Sequence, residues 1–116
     1  MAYSEWLADR IRSSLNVRNV GFEEKRMMGG LTFMVKGKMC VGVHEERLMA
    51  RIGPEPYEGA LSMKGCQKMD FTGREMRGYV FVDPDGTDLD EDLEVWMQMA
   101  LDFNQQAKAY KKRKKK

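Results

Sequence analysis

Between Leu31 and Ile52, apolar positions recur every second residue. Leu31, Phe33 and Val35 fall on one side of an extended chain, with Thr32 and Met34 on the other. Met39, Val41 and Val43 oppose Cys40 and Gly42 in the same way. Leu48, Ala50 and Ile52 oppose Met49 and Arg51. Turn residues separate these runs: Met28-Gly29-Gly30-Leu31, Lys36-Gly37-Lys38 and the polar break His44-Glu45-Glu46-Arg47. Gly53-Pro54 ends the last run, because proline brings no backbone donor to a ladder. A charged strand is predicted before them, over Phe22–Met28, and its charge suits an exposed sheet edge. Each of the three apolar runs has one strongly apolar face and one mixed face. That pattern predicts an antiparallel sheet covered by helices on one side.

The helical period marks the flanks. Tyr3, Trp6, Leu7, Ile11 and Leu15 form an apolar stripe that predicts a helix over residues 2–15. Pro54 to Met63 reads as a short second helix, with Tyr57, Ala60 and Leu61 apolar and Gly65 as its stop. Two further strands follow, Lys68–Phe71 and Gly78–Val82, with turn-like Thr72-Gly73-Arg74-Glu75 between them. Asp83-Pro84-Asp85-Gly86 is the next turn. The longest helix is predicted from Asp90 to about Ala109, with Leu89, Leu93, Trp96, Met97, Ala100 and Leu101 as its apolar stripe. Glu91, Asp92 and Glu94 in its first turns complement the helix dipole. The order α-β-β-β-β-α-β-β-α predicts an α+β domain in two layers, an antiparallel sheet with helices on one face. Its 116 residues fit one core. The expected division is a domain over residues 1–109 and a basic, disordered tail over residues 110–116.

Charge changes the picture more than composition does. The net charge is +2, yet the last six residues, Lys111, Lys112, Arg113, Lys114, Lys115 and Lys116, are all basic. Without them 14 basic residues face 18 acidic ones, and the body carries −4. A flexible cationic arm binds nucleic acid by releasing counterions, so these six residues are the candidate nucleic-acid contacts. No apolar run is long enough to span a membrane. The first residues, with Glu5 and Asp9, lack the apolar block of a secretory signal. A cytoplasmic location with Cys40 and Cys66 reduced is expected. The mixed sheet face carries Met34, Cys40 and Met49, an apolar patch expected to bind a protein partner or a second copy of the chain.

No catalytic constellation emerges. His44, the one histidine, falls in a polar turn beside Glu45 and Glu46. Along one strand Cys40 and His44 would stand on the order of 13 Å apart, too far for a nucleophile–base pair. Counted from Asp83, an EF-hand would place glycine at the sixth position, where Asp88 stands. Gly29-Gly30 lacks the lysine and following helix of a phosphate loop. No metal ligand set and no cofactor are expected. An RNA-modifying enzyme remains the third alternative, behind an interaction module and a nucleic-acid binder.

Several words along the chain resemble the N-terminal domain of the TfoX (Sxy) family. They are Lys25-Arg26-Met27-Met28-Gly29-Gly30-Leu31, Phe33-Met34-Val35-Lys36-Gly37-Lys38-Met39 and Arg47-Leu48-Met49-Ala50-Arg51-Ile52-Gly53-Pro54. Met69-Asp70-Phe71-Thr72-Gly73-Arg74 and Gly78-Tyr79-Val80-Phe81-Val82-Asp83-Pro84 continue the series. Many relatives have an aromatic where Met28 stands. Two-domain members continue into a helical C-terminal domain where this chain has its basic tail, so it resembles the stand-alone version. The resemblance implies a secretion-chaperone-like α+β fold and a non-enzymatic accessory to transcription regulation. In natural competence, TfoX proteins act as coactivators with the cyclic-AMP receptor protein.

Overall fold

A computed structural model describes residues 3–27, 30–71 and 74–106, with backbone alone for 70, 71 and 74–77. The turn at Met28-Gly29, the turn residues Thr72-Gly73 and the tail Lys111–Lys116 lie outside the described residues, as do residues 107–109 of the predicted last helix.

The chain opens with helix α1 (Glu5–Val17). Ser4 caps it, its hydroxyl accepting from the Leu7 N–H at 3.2 Å. Its other end closes on Asn19, whose φ of +59° is left-handed. There the N–H of Val20 reaches back to the Leu15 carbonyl and that of Asn19 to Asn16, a Schellman ending. Strands β1 (Glu23–Met27), β2 (Gly30–Val35), β3 (Lys38–His44) and β4 (Arg47–Arg51) form the meander. Val35 pairs with Lys38, so Lys36-Gly37 is a two-residue hairpin loop, and both loop residues have positive φ (55° and 75°). That is the primed turn geometry that follows strand twist.

The second helix is shorter than its sequence suggests. α2 spans Tyr57–Ala60 and is preceded by Pro56, not Pro54. Only Tyr57 and Ala60 are buried there, so no further turn has an apolar face to pack. Strands β5 (Cys66–Phe71) and β6 (Arg74–Val82), a 3-10 turn at Pro84–Gly86 and helix α3 (Asp90–Gln106) complete the chain.

The six strands form one antiparallel sheet in the order β1-β2-β3-β4-β6-β5. This is the predicted α+β architecture, and the element order is the predicted one. α1 and α3 lie on one face, where Leu7, Ile11, Leu15, Leu93, Trp96 and Met97 meet Phe33, Val41, Leu48 and Val80. Asn104 near the end of α3 donates to the Val35 carbonyl at 3.1 Å, tying the helix to β2. Charged and exposed, β1 forms one edge. Among the described residues, no helix is long and apolar enough to cross a membrane.

Candidate interaction surfaces

The mixed sheet face is built differently from its alternation. The β2–β3 ladder slips at one point: Phe33 pairs with Val41, but the next residue, Met34, pairs with Met39. Cys40 is the extra residue of a bulge, and a bulge reverses the side that the strand presents beyond it. Cys40 therefore turns into the helix-side core, fully buried, while Met39 goes to the far face. This corrects the expectation that put Cys40 beside Met34 and Met49.

Met49 does lie on the far face, but it is only 4 % exposed. It packs with Met69 of β5 and Phe81 of β6, flanked by Met39 and Tyr79. Gly42 makes this packing possible, since a Cβ there would sit 3.1 Å from the Met49 methyl carbon and 2.7 Å from the Leu31 carbonyl oxygen. The cluster has a lid. The Arg47 guanidinium lies 3.9 Å from the centre of the Phe81 ring, and the His44 ring stands 5.4 Å from it. The space left between Gly42, His44, Met49 and Phe81 is about 10 Å³, at the lower limit of what a single water needs. Met34 is half-buried between β1 and β3, opposite Glu23 and Met39. Thus Met34, Cys40 and Met49 do not form one exposed apolar patch.

Burial disfavours the thiolate at both cysteines, more at Cys40 than at Cys66. Burial pushes Cys40 up to about 12, with Arg51 opposing weakly, and pushes Cys66 to about 11. Both cysteines are free. His44 ends β3, opposite Arg47, whose Nη2 is 3.4 Å from its Nδ1. Asp83 accepts from Gln67 at 2.6 Å and leads into the Pro84 turn. Among the described residues, no group of three or more His, Cys, Asp or Glu side chains is placed to hold a metal ion.

The surface that sequence reasoning missed surrounds Trp6. Its ring was expected in the α1 stripe, yet it is 64 % exposed. Leu7, Ala8, Ile11, Ser14 and Leu15 take the buried face, and Trp6 stands about 100° round the helix from Leu7. It separates two open grooves. One, of about 630 Å³, runs between the start of α1, the Glu45-Glu46 turn and the loop at Pro84–Asp88. The other, of about 590 Å³, lies between α1 and the first turns of α3. Backbone contacts hold the first groove's wall, where Ser4 N–H donates to the Glu45 carbonyl at 2.7 Å.

Polar clasps join the helices here. Arg10 stacks on Trp6 at 4.8 Å and donates to the Thr87 carbonyl at 2.7 Å and to Asp90 at 3.1 Å. Glu94 accepts from Ser14 at 3.0 Å and from Arg18 at 2.6 Å. The two grooves together are lined by six carboxylate residues and two arginines, and both arginines are tied down in these clasps. Glu45, Glu46 and Asp88 are exposed. The surface around Trp6 is acidic and carries an aromatic anchor.

These features define a small two-layer α+β domain, with an apolar cluster packed on its far sheet face and an open groove system on its helical side. The family model described as TfoX N-terminal domain matches residues 19–104, and the chain belongs to that family. Compared with curated proteins and with solved structures, the chain matches none.

Proposed function

We propose that this chain is a non-enzymatic interaction module of the TfoX N-terminal type, acting in the cytoplasm through a protein partner as an accessory to transcription regulation. Family membership supports the module class. The observation that carries a partner is Trp6: a tryptophan 64 % exposed between two open grooves has the form of an interface anchor. Met34, half-buried at the β1 side of the sheet, is the predicted interface residue left nearest to solvent. The partner class to test first is a transcription activator, represented by the cyclic-AMP receptor protein. Calorimetric titration of the intact chain against that protein should give saturable heat, and Trp6→Ala should abolish it. Absence of heat with the unsubstituted chain refutes this partner.

A second reading rests on charge segregation, six basic residues against a body of −4. Lys111, Lys112, Arg113, Lys114, Lys115 and Lys116 would contact phosphates without sequence preference. Fluorescence anisotropy with DNA and RNA tests it. Affinity should fall steeply with salt and vanish in a chain ending at Gln106. Equal affinity of the two chains overturns it.

A further inference from the structure

We propose that the acidic groove system around Trp6 is a docking site for a lysine- and arginine-rich segment, and that its resident occupant is the chain's own residues 107–116, folded back along α3.

Charge is the first argument. The grooves carry six carboxylates, and the two arginines among them are already neutralised by Asp90 and Glu94. Arg12 nearby is likewise spent on Asp9 and Glu24. What remains toward solvent is negative charge at Glu45, Glu46 and Asp88, beside an indole face. That combination suits cationic side chains with long apolar stems, which cover a ring while their charged heads stay near carboxylates. Residues 107–116, AKAYKKRKKK, supply seven such side chains and a tyrosine.

Reach is the second argument. α3 has 17 residues and is about 25 Å long. Its start lies against Arg10 through Asp90, and Glu94 one turn on lies against Ser14 and Arg18. Extended chain covers about 3.3 to 3.6 Å per residue. From Gln106, Lys111 therefore reaches about 17 Å and Lys116 about 35 Å, which brackets the distance back to Glu94, Asp90 and Asp88. No partial unfolding of α3 is needed.

Tethering is the third. A segment attached by a short linker acts at an effective concentration in the millimolar range, so a contact too weak to matter between molecules is populated within one. The docked segment would withhold its positive charge from other ligands and cover Trp6. The inference concerns the groove that the proposed partner would use, but its readout needs no partner and stands or falls separately.

Trp6 reports the state directly, because the other tryptophan, Trp96, is 1 % exposed and contributes a nearly constant background. Quenching by acrylamide, a neutral probe, should be about twofold weaker in the intact chain than in a chain ending at Gln106, as expected for a tethered contact of roughly millimolar strength. About 1 M salt, which shortens the Debye length to about 3 Å, should erase the difference. The triple variant E45Q/E46Q/D88N should lose the protection. So should a full-length chain with Lys111, Lys112, Arg113, Lys114, Lys115 and Lys116 replaced by glutamine, which covers the case of a truncated chain that folds poorly. Equal quenching of the intact and neutral-tail chains at low salt overturns the proposal. Protection that grows with protein concentration overturns the intramolecular form and assigns the groove to the tail of a second copy.

Discussion

Gly53 and Phe103 are in closer contact than any other side chain at position 53 would allow. A Cβ on Gly53 would lie 2.4 Å from the Phe103 Cδ1 atom, and Gly53 has a φ of +89°. The strand end that the sequence marks with Gly53-Pro54 is thus also the seat of the last turns of α3. Gly53→Ala should cost about 2 kcal/mol, from left-handed strain together with displacement of the ring. Urea unfolding measures it. Combining Gly53→Ala with Phe103→Leu should recover part of the loss, because the two changes share one contact.

Arg12 joins α1 to the exposed edge strand. Its Nε and Nη2 donate to the two carboxylate oxygens of Glu24 at 2.7 and 3.0 Å. That bidentate hydrogen bonding holds the Glu24 carboxyl below its ordinary value of 4.5. A depressed carboxyl contributes stability that is present above its unfolded value and lost as pH falls through its folded one. The pair is about a third exposed, so Glu24→Gln should cost only about 0.5 to 1 kcal/mol at neutral pH. The difference between the two chains should shrink as the solution is acidified below 4.5. Paired urea titrations at neutral and acid pH check this, and a pH-independent difference would contradict it.

The strands of the meander were legible because alternation and turn chemistry agree, whereas β5 begins at Cys66 and not Lys68, and β6 begins at Arg74, inside the stretch read as a turn, and not at Gly78. Val35 and Lys38 bracket Lys36-Gly37 as the sequence indicates, and Leu48, Ala50 and Ile52 point where their period puts them. The bulge at Cys40 was not legible. Met39, Cys40, Val41 and Val43 are all apolar, so no polar residue marks the position at which the period slips. The far face misled for a related reason. Met49 looks free along β4, but Met69 and Phe81, from strands distant in sequence, cover it. Trp6 misled because a helix stripe drawn from spacing alone does not fix its width, and Tyr3 lies before the helix begins.

Cys40 gives a signal at alkaline pH. Its thiol value is raised by burial from 9.0 to about 12. A group raised in the folded state contributes stability that is complete below the unfolded value and is lost as pH rises through the folded one. Stability attributable to Cys40 should therefore decline between 9.0 and about 12, and Cys40→Ala should flatten that part of the profile relative to the unsubstituted chain. In the native chain, Cys66, half-exposed and raised only to about 11, should react with a thiol reagent before Cys40 does. Faster labelling of Cys40 would show that the bulge does not hold it in the core.

Trp6 and Leu7 are adjacent in sequence and opposite in consequence. Leu7 is 3 % exposed in the core, so Leu7→Ala should cost about 2 to 5 kcal/mol. The Arg10 guanidinium stacks on the Trp6 ring at 4.8 Å. Arg10 retains its bonds to Thr87 and Asp90 without the ring. Trp6→Ser should accordingly change stability by about 0.5 kcal/mol or less, the range of surface substitutions. Had both side chains belonged to one buried stripe, as their spacing suggests, the two substitutions would cost similar amounts. A large loss for Trp6→Ser would place the ring in the packing of α1 and remove it as an anchor for the groove. A small loss leaves a large aromatic exposed at no benefit to the fold, which is the condition under which an interaction surface accounts for it.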